Sequence, residues 1–354
     1  MSKSIICLLC GGQSTEHEVS LMSARNVVAA IPRDKYDLLI VGIDKTGAWH
    51  LYENSNAEFT VNSDDPANIA LAPNAAPVSP VRHNGHSALA ILNSGCNPVP
   101  FDLLFPVMHG RNGEDGAVQG LAQLLGCPCV GCGMTASAIC MDKACAKQIL
   151  EYEGIRTARW ILVTRGEEPL TAETAIAKLG LPLFVKPANA GSSVGVVKVR
   201  NASEFDGAIA EAMKYDDRVL VEECIVGREI ECAVLGNHQL FCAVPGEVVP
   251  KVEFYSYDAK YTLDDGAELR APAQLTDDEI ARVHAIASKA YKVLGCKGMS
   301  RVDFFLKADG TFILNEINTI PGFTKISMFP RLMGLSGISY STLVDKLIQL
   351  SLEK

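Results

Sequence analysis

The feature that most constrains the chain is a pair of alternating segments near its C-terminus, Arg301-Val302-Asp303-Phe304-Phe305-Leu306 and Thr311-Phe312-Ile313-Leu314-Asn315-Glu316-Ile317-Asn318. Each reads as a strand, and Asp309-Gly310 between them predicts a two-residue hairpin turn. That register sets Asp303 opposite Glu316 and Arg301 opposite Asn318, with all four side chains on one face of the sheet. Two carboxylates directly opposite each other repel, so something positive must offset them. Arg301 contributes, and a hard cation held by oxygen ligands fits the Asp/Glu/Asn set better. The plainer alternative is a solvated charged face on a fortuitous hairpin.

Around this hairpin the 354-residue chain is too long for one hydrophobic core. The opening reads as strand, turn and helix. Ile5–Cys10 is a continuous apolar run, Gly11-Gly12 breaks it, and Leu21–Val28 has helical periodicity. A second buried run, Asp37–Ile43, makes this a βαβ unit with a parallel sheet. Residues 62–100 are rich in Pro, Asn, Ala and Ser and carry no legible chemistry. Leu103–Val107 resumes the strand pattern, followed by a glycine-rich loop and a helix over Val118–Leu125. Helices are then expected over Asp142–Leu150, Thr171–Leu179 and from Thr276, where Glu279 closes a capping box and Gly295 ends the helix.

With 48% apolar and 21% charged residues the chain is globular in composition. No stretch reaches the roughly 20 apolar residues of a spanning helix. The short apolar run after Met1-Ser2-Lys3-Ser4 lacks the cleavage site of a secretory signal, so a cytoplasmic location is expected and no membrane partner. A net charge of −9 argues against a nucleic-acid partner, which needs a basic footprint. Cys7, Cys10, Cys127, Cys129 and Cys132 have no zinc-finger spacing and read as core thiols.

No G-x-x-x-x-G-K-[ST] motif is present. Instead Gly191-Ser192-Ser193-Val194-Gly195 joins two strands, with Lys186 at the end of the first. A mobile glycine-rich hairpin brings backbone N–H groups onto phosphates while a strand lysine neutralises them, the logic protein kinases use on another fold. An ordinary flexible hairpin has the same composition.

Taken in order, several segments resemble the D-alanine–D-alanine ligase family of the ATP-grasp superfamily over nearly the whole chain. They are Gly11-Gly12 with Ser14 and Glu16-His17-Glu18-Val19-Ser20, then His109-Gly110 with Gly113-Glu114-Asp115-Gly116, then Met141-Asp142-Lys143 and Val185-Lys186-Pro187. Gly191–Gly195, Tyr257-Asp258-Ala259-Lys260-Tyr261, Arg301-Val302-Asp303 and Asn315–Thr319 with Pro321-Gly322 complete the set. The resemblance implies a mixed α/β and α+β chain with a three-domain ATP-grasp architecture. Its parts would be an N-terminal parallel-sheet, Rossmann-like substrate domain (1–132), a central subdomain with the phosphate loop (133–223) and a C-terminal subdomain with the metal site and lid (224–354).

The same resemblance implies roles for single residues. Lys143 and Lys186 match the lysines that hold ATP phosphates, with Ser193 in the phosphate loop. Glu222, Glu223 and Ile225 match the adenine-contacting segment and Glu229 the ribose position. Asp303, Glu316 and Asn318 match the Mg²⁺ ligands, with two ions expected and Mn²⁺ an acceptable substitute. Arg301 matches an arginine that steadies charge on the reacting carboxyl group. Glu16 falls where the first D-alanine's ammonium is held, and His109 near its carboxylate. Ser192, Tyr261 and Ser327 match a Glu–Ser–Tyr–Ser arrangement around the second subsite, flanked by Lys260, Gly322 and Met328. His109 as a satisfied loop histidine and Ser327 as a helix cap are the plainer readings.

The implied reaction joins two D-alanine molecules at the cost of ATP, through an acyl phosphate, with D-serine or D-lactate as alternative second substrates. A homodimer is implied, and Tyr255–Arg270 is the expected lid. A dinucleotide-dependent dehydrogenase is the rival suggested by the opening strand–Gly-Gly–helix, but the loop lacks G-x-G-x-x-G.

Overall fold

The computed structural model describes residues 3–52, 69–73, 75–251 and 267–353. Among them three sheets are formed. The first holds β1 (Ser4–Gly11), β2 (Tyr36–Ile43), β3 (Trp49–Tyr52), β4 (Ala76–His83), β5 (His86–Ile91), β6 (Val99–Phe101) and β7 (Leu103–Val107), in the order β6-β5-β4-β3-β2-β1-β7. Strand β1 pairs in parallel with both β2 and β7. It is covered on both faces, which is why it reads as an unbroken apolar run. The sheet is nevertheless mixed, because β3 to β6 pair antiparallel. The segment 62–100, which carried no legible pattern, supplies β4, β5 and most of β6.

At the end of β1 the chain turns so tightly that only glycine fits. Gly11 has φ +83°, and a Cβ there would lie 2.3 Å from the Ile43 carbonyl oxygen. The Gly11 N–H donates to Ser20 Oγ at 2.7 Å, and Ser20 Oγ donates to the Val107 carbonyl. The following helix, α1 (His17–Ala30), is thus pinned to the ends of two strands, and Glu16 becomes its N-cap residue.

The second sheet comprises β8 (Trp160–Thr164), β9 (Leu183–Pro187), β10 (Val197–Val199) and β11 (Arg218–Glu223), all antiparallel, in the order β10-β9-β11-β8. The third comprises β12 (Arg228–Leu235), β13 (Phe241–Cys242), β14 (Gly246–Pro250), β15 (Ala267–Arg270), β16 (Met299–Leu306) and β17 (Phe312–Asn318), with β12 between β14 and β16. The long helix Asp277–Val293 packs on it. Thr276 Oγ1 accepts the Glu279 N–H at 3.2 Å, and the Glu279 carboxylate accepts the Thr276 N–H at 2.8 Å. Thr276→Ala is expected to lower stability by about 1 kcal/mol, read as a reduced midpoint in denaturant with an unchanged slope.

The cores are shared unequally. One cluster runs from Ile6 and Leu8 of β1 through α1 to Phe323, Phe329, Leu343 and Leu347, so the first sheet and the C-terminal helices pack as one mass. The second sheet has its own core, including Val185, Val219, Val221, Phe205 and Ala208, drawn from that segment alone.

The hairpin departs from expectation at its turn. The Lys307 N–H donates to the Thr311 carbonyl and the Gly310 N–H to the Lys307 carbonyl, so the loop has three residues, with Gly310 at φ +79°. Near the turn Leu306 therefore pairs with Phe312 and Phe304 with Leu314. A bulge then restores the expected pairing of Asp303 with Glu316 and Arg301 with Asn318. Asn315 is the extra residue.

Candidate functional site

The site lies where the three sheets meet, as three adjoining cavities. Glu316 lines all of them.

The first cavity is bounded by the N-cap of α1, the loop after β7 and the loop after β9. The Glu16 carboxylate accepts a 2.6 Å hydrogen bond from Ser192 Oγ. Ser192 and Ser193 reach this position with φ of 50° and 60°, in the left-handed region that glycine-rich loops tolerate. Lys143 closes the far side. It opens the helix Lys143–Tyr152, capped by Asp142, and its ammonium donates to the Ala190 carbonyl at 2.5 Å. Burial lowers the Lys143 pKa, and Glu316 opposes that shift.

His109 stands in the same wall, 4% exposed. Its Nδ1 faces the Ile320 carbonyl at 3.1 Å and must donate. Its Nε2 lies 3.1 Å from Ser23 Oγ, which itself accepts the Phe323 N–H and so has its proton free for the ring. These contacts suit a neutral Nδ1–H tautomer, and burial lowers the pKa in the direction of that form. Both ring nitrogens are committed to the protein.

Glu114, a member of the second motif to which no role was assigned, accepts the Gly110 N–H at 2.9 Å. Burial, then the nearby Glu16 charge, pushes its pKa up to about 8. At neutral pH it is protonated when folded and ionised when unfolded. Its contribution to stability is full below about pH 4.3 and is lost as pH rises through about 8. Glu114→Gln should remove this loss, so that the melting temperature of the variant gains on that of the parent between about pH 5 and 8. A difference that stays flat across that window would refute the assignment.

The second cavity lies over β12, β16 and β17. Arg301 makes a two-point contact with Asp303, 2.8 Å from Nε and 2.6 Å from Nη2. Its Nε also lies 3.2 Å from Glu231 of β12, a residue the sequence reading did not single out. Asn318 Nδ2 donates to Asp303 at 2.9 Å. The four predicted residues thus share one face. Ser327 and Met328 border the same cavity. Ser327 begins the helix Met328–Leu335 without capping it. Its Oγ instead accepts the Thr324 N–H at 2.9 Å and lies 2.8 Å from Thr324 Oγ1. Gly322 approaches so closely that a Cβ would sit 2.7 Å from Ser327 Oγ.

The third cavity, between the second and third sheets, is lined by Lys143, Lys186, Ser193, Ile225 and Glu229. Glu222 does not point freely into it: its carboxylate is 2.6 Å from Lys186 Nζ and 3.1 Å from Lys147 Nζ. Burial raises the Glu222 pKa, but the two lysines outweigh it and the net shift is downward. Glu223 is held by Arg159, through the backbone N–H at 2.8 Å and Nε at 2.7 Å. Lys260 and Tyr261 lie outside the described residues, as does most of the expected lid; its last residues, Ala267–Arg270, form β15.

Of the cysteines singled out, Cys7, Cys10 and Cys132 are buried and free, and Cys127 and Cys129 are partly buried and free. Loss of hydration raises the thiol pKa of Cys7, Cys10 (to about 12) and Cys129 (to about 12). These are inert core thiols.

The arrangement combines a carboxylate and a guanidinium that match a zwitterion, two lysines and a glycine-rich loop that match phosphates, and an oxygen-rich cluster between them. Comparison with known proteins agrees with it. The family described as D-ala D-ala ligase N-terminus matches residues 5–132, and that described as D-ala D-ala ligase C-terminus matches 149–349. A D-alanine–D-alanine ligase A of Salmonella typhimurium is 46% identical over 100% of this chain and 97% of its own length. A D-alanine–D-alanine ligase of Shouchella clausii is 46% identical, with 100% and 96% covered. The solved D-alanine–D-alanine ligase of Coxiella burnetii superposes with a TM-score of 0.86 at 35% identity, covering 99% of this chain and 94% of that one. A solved D-Ala:D-Ser ligase of Enterococcus faecalis gives 0.87 at 37% identity, covering 99% and 100%. With both family segments matched and full-length relatives at this identity, the chain belongs to the D-alanine–D-alanine ligase family, of ATP-grasp fold.

Proposed function

We propose that the protein ligates two D-alanine molecules to D-alanyl-D-alanine, at the expense of ATP, for peptidoglycan precursor synthesis. The observation that carries this reading is the convergence of Glu16, Ser192, Arg301 and Lys143 on one cavity beside the glycine-rich loop. Lys143 and Lys186 neutralise the nucleotide phosphates, since phosphoryl transfer depends on positioning and electrostatics. Glu222, Glu223, Ile225 and Glu229 border the nucleotide's base and ribose. Glu16 holds the ammonium of the first D-alanine, and that substrate's carboxylate takes the γ-phosphoryl group to give an acyl phosphate and ADP. The free amine of the second D-alanine attacks that carbonyl, expelling phosphate and losing a proton. Arg301 and the Gly322 N–H stabilise the oxyanion of the tetrahedral intermediate.

Asp303, Glu316 and Asn318 would hold Mg²⁺, two ions being expected. Among the described residues no three His, Cys, Asp or Glu side chains are grouped to hold a metal ion by themselves. Two carboxylates and an amide suit Mg²⁺, which binds through one or two carboxylates together with substrate phosphates. The metal, when bound, neutralises charge on the phosphate oxygens. The opposed carboxylates Asp303 and Glu316 favour this reading over a plain charged face.

Phosphate release from ATP and Mg²⁺ should require D-alanine, not L-alanine, and should match the dipeptide seen by mass spectrometry. No release with D-alanine from a protein that binds ATP would overturn the substrate. The likeness to a D-Ala:D-Ser ligase favours a second reading, D-serine as acceptor, which the same assay with both amino acids decides. Lys260 and Tyr261 are assigned to the acceptor side. Tyr261→Phe should raise depsipeptide relative to dipeptide when D-lactate is supplied, and an unchanged ratio would remove Tyr261 from acceptor selection.

The three segments 1–132, 133–223 and 224–354 are proposed as the domains, and the protein as a homodimer, measurable by light scattering. No helix among the described residues is long and apolar enough to cross a membrane.

A further inference from the structure

Lys147 is 2% exposed, and the mechanism above does not use it. It lies one helical turn beyond Lys143 in the helix Lys143–Tyr152. Its ammonium donates to the Ala158 carbonyl at 3.2 Å and lies 3.1 Å from Oε1 of Glu222. The other oxygen of that carboxylate, Oε2, is 2.6 Å from Lys186 Nζ. Glu222 is itself 4% exposed. Of the two lysines only Lys186 lines the cavity assigned to the nucleotide. A second buried ammonium is an expensive way to fill space, because burying a charge costs several kcal/mol before pairing. One lysine would suffice to neutralise one carboxylate.

We propose that Lys147 is a positioning residue for nucleotide binding: by engaging Oε1 of Glu222 it keeps that carboxylate from neutralising Lys186, so the Lys186 ammonium presents net positive charge to the phosphate chain. The trio carries a charge of +1, where Lys186 and Glu222 alone would be neutral. Lys147 touches no ligand in this arrangement and acts only through Glu222. The inference rests on the ATP-dependent reading, and it holds for any acceptor.

A double-mutant cycle tests it, with the dissociation constant of Mg·ATP measured by calorimetry without amino acid substrate. Lys147→Met, close in volume, should raise the constant about tenfold, equivalent to about 1.4 kcal/mol, and leave the KM for D-alanine within about twofold. In a Glu222→Gln background the same change should alter Mg·ATP binding by less than about twofold, because no carboxylate remains to trap Lys186. Any direct contact of Glu222 with the nucleotide cancels between the two members of that background. A tenfold loss that persists with Glu222→Gln would show that Lys147 acts as a tether for Ala158, and overturn the proposal. So would Mg·ATP binding by Lys147→Met within twofold of the parent. Should Lys147→Met not fold, Lys147→Gln keeps a donor for the Ala158 carbonyl and removes the charge, and the same two comparisons decide. Because the readout is nucleotide binding, failure of D-alanine as substrate leaves the cycle interpretable.

Discussion

Arg301→Lys is expected to lower kcat by about 10²- to 10³-fold, the loss seen when one preorganised oxyanion donor is removed. Lysine keeps the charge but loses the planar fork that contacts Asp303 at two points and Glu231 at a third. A single ammonium cannot hold both carboxylates and also face the first cavity. The KM for ATP should change far less than kcat, because Arg301 lies outside the third cavity. Steady-state kinetics with D-alanine saturating checks the split. A variant with kcat within threefold of the parent would remove Arg301 from transition-state stabilisation.

Glu316→Gln should separate stability from activity. Glu316 faces Asp303 directly across the β16–β17 pair. Removing one of two opposed like charges relieves roughly 0.2–1 kcal/mol of repulsion, offset by the attraction lost to Lys143 and Arg301, so the metal-free variant should melt close to the parent. Its Mg²⁺ requirement should rise by at least about 10- to 100-fold, using the loss from weakened metal-site support as a lower bound. Titration of turnover against Mg²⁺, with melting curves in chelator, measures both. Stability and Mg²⁺ dependence that fall together would mean that Glu316 is a structural partner and not a ligand.

The hairpin shows how far the sequence carries and why it stops. The facing of Asp303 with Glu316 was predicted and is present, yet the loop has three residues where Asp309-Gly310 indicated two. The two departures offset each other. Asp-Gly serves more than one hairpin loop, and the bulge at Asn315 shows only as a break in alternation at Asn315-Glu316, which reading the whole segment as alternating passes over. Glu16 and Ser192 are 176 residues apart, and only the family motifs linked them before the 2.6 Å contact was visible.

Lys147, Glu114 and Glu231 were missed for a common reason. Whether a charge is buried depends on what it meets: Glu222 and Arg301, the partners of Lys147 and Glu231, lie on other elements, and Glu114 bonds Gly110 in its own loop but faces Glu16 from another. Weak signals existed. Lys143 and Lys147 share a helix face, and Glu229 and Glu231 recur at period two in a strand that is apolar from Cys232 onward. The strands of residues 76–101 escaped because Pro77, Pro80 and Pro100 argue against strand interiors.

The uneven sharing of cores has a mechanical consequence. Three sheets divide into two bodies, because the first sheet and the C-terminal helices are welded by one apolar mass while the sheet β8–β11 keeps its main core to itself and adds only Ala188 and Leu220 against Ala144. The inexpensive deformation is then a swing of that smaller body, which breaks few apolar contacts. The chain enters that body near Arg159 and leaves it near Glu223, and the two side chains form an ion pair. The loop that carries Ser192 belongs to the smaller body and Glu16 to the larger, so their 2.6 Å hydrogen bond ties the two together.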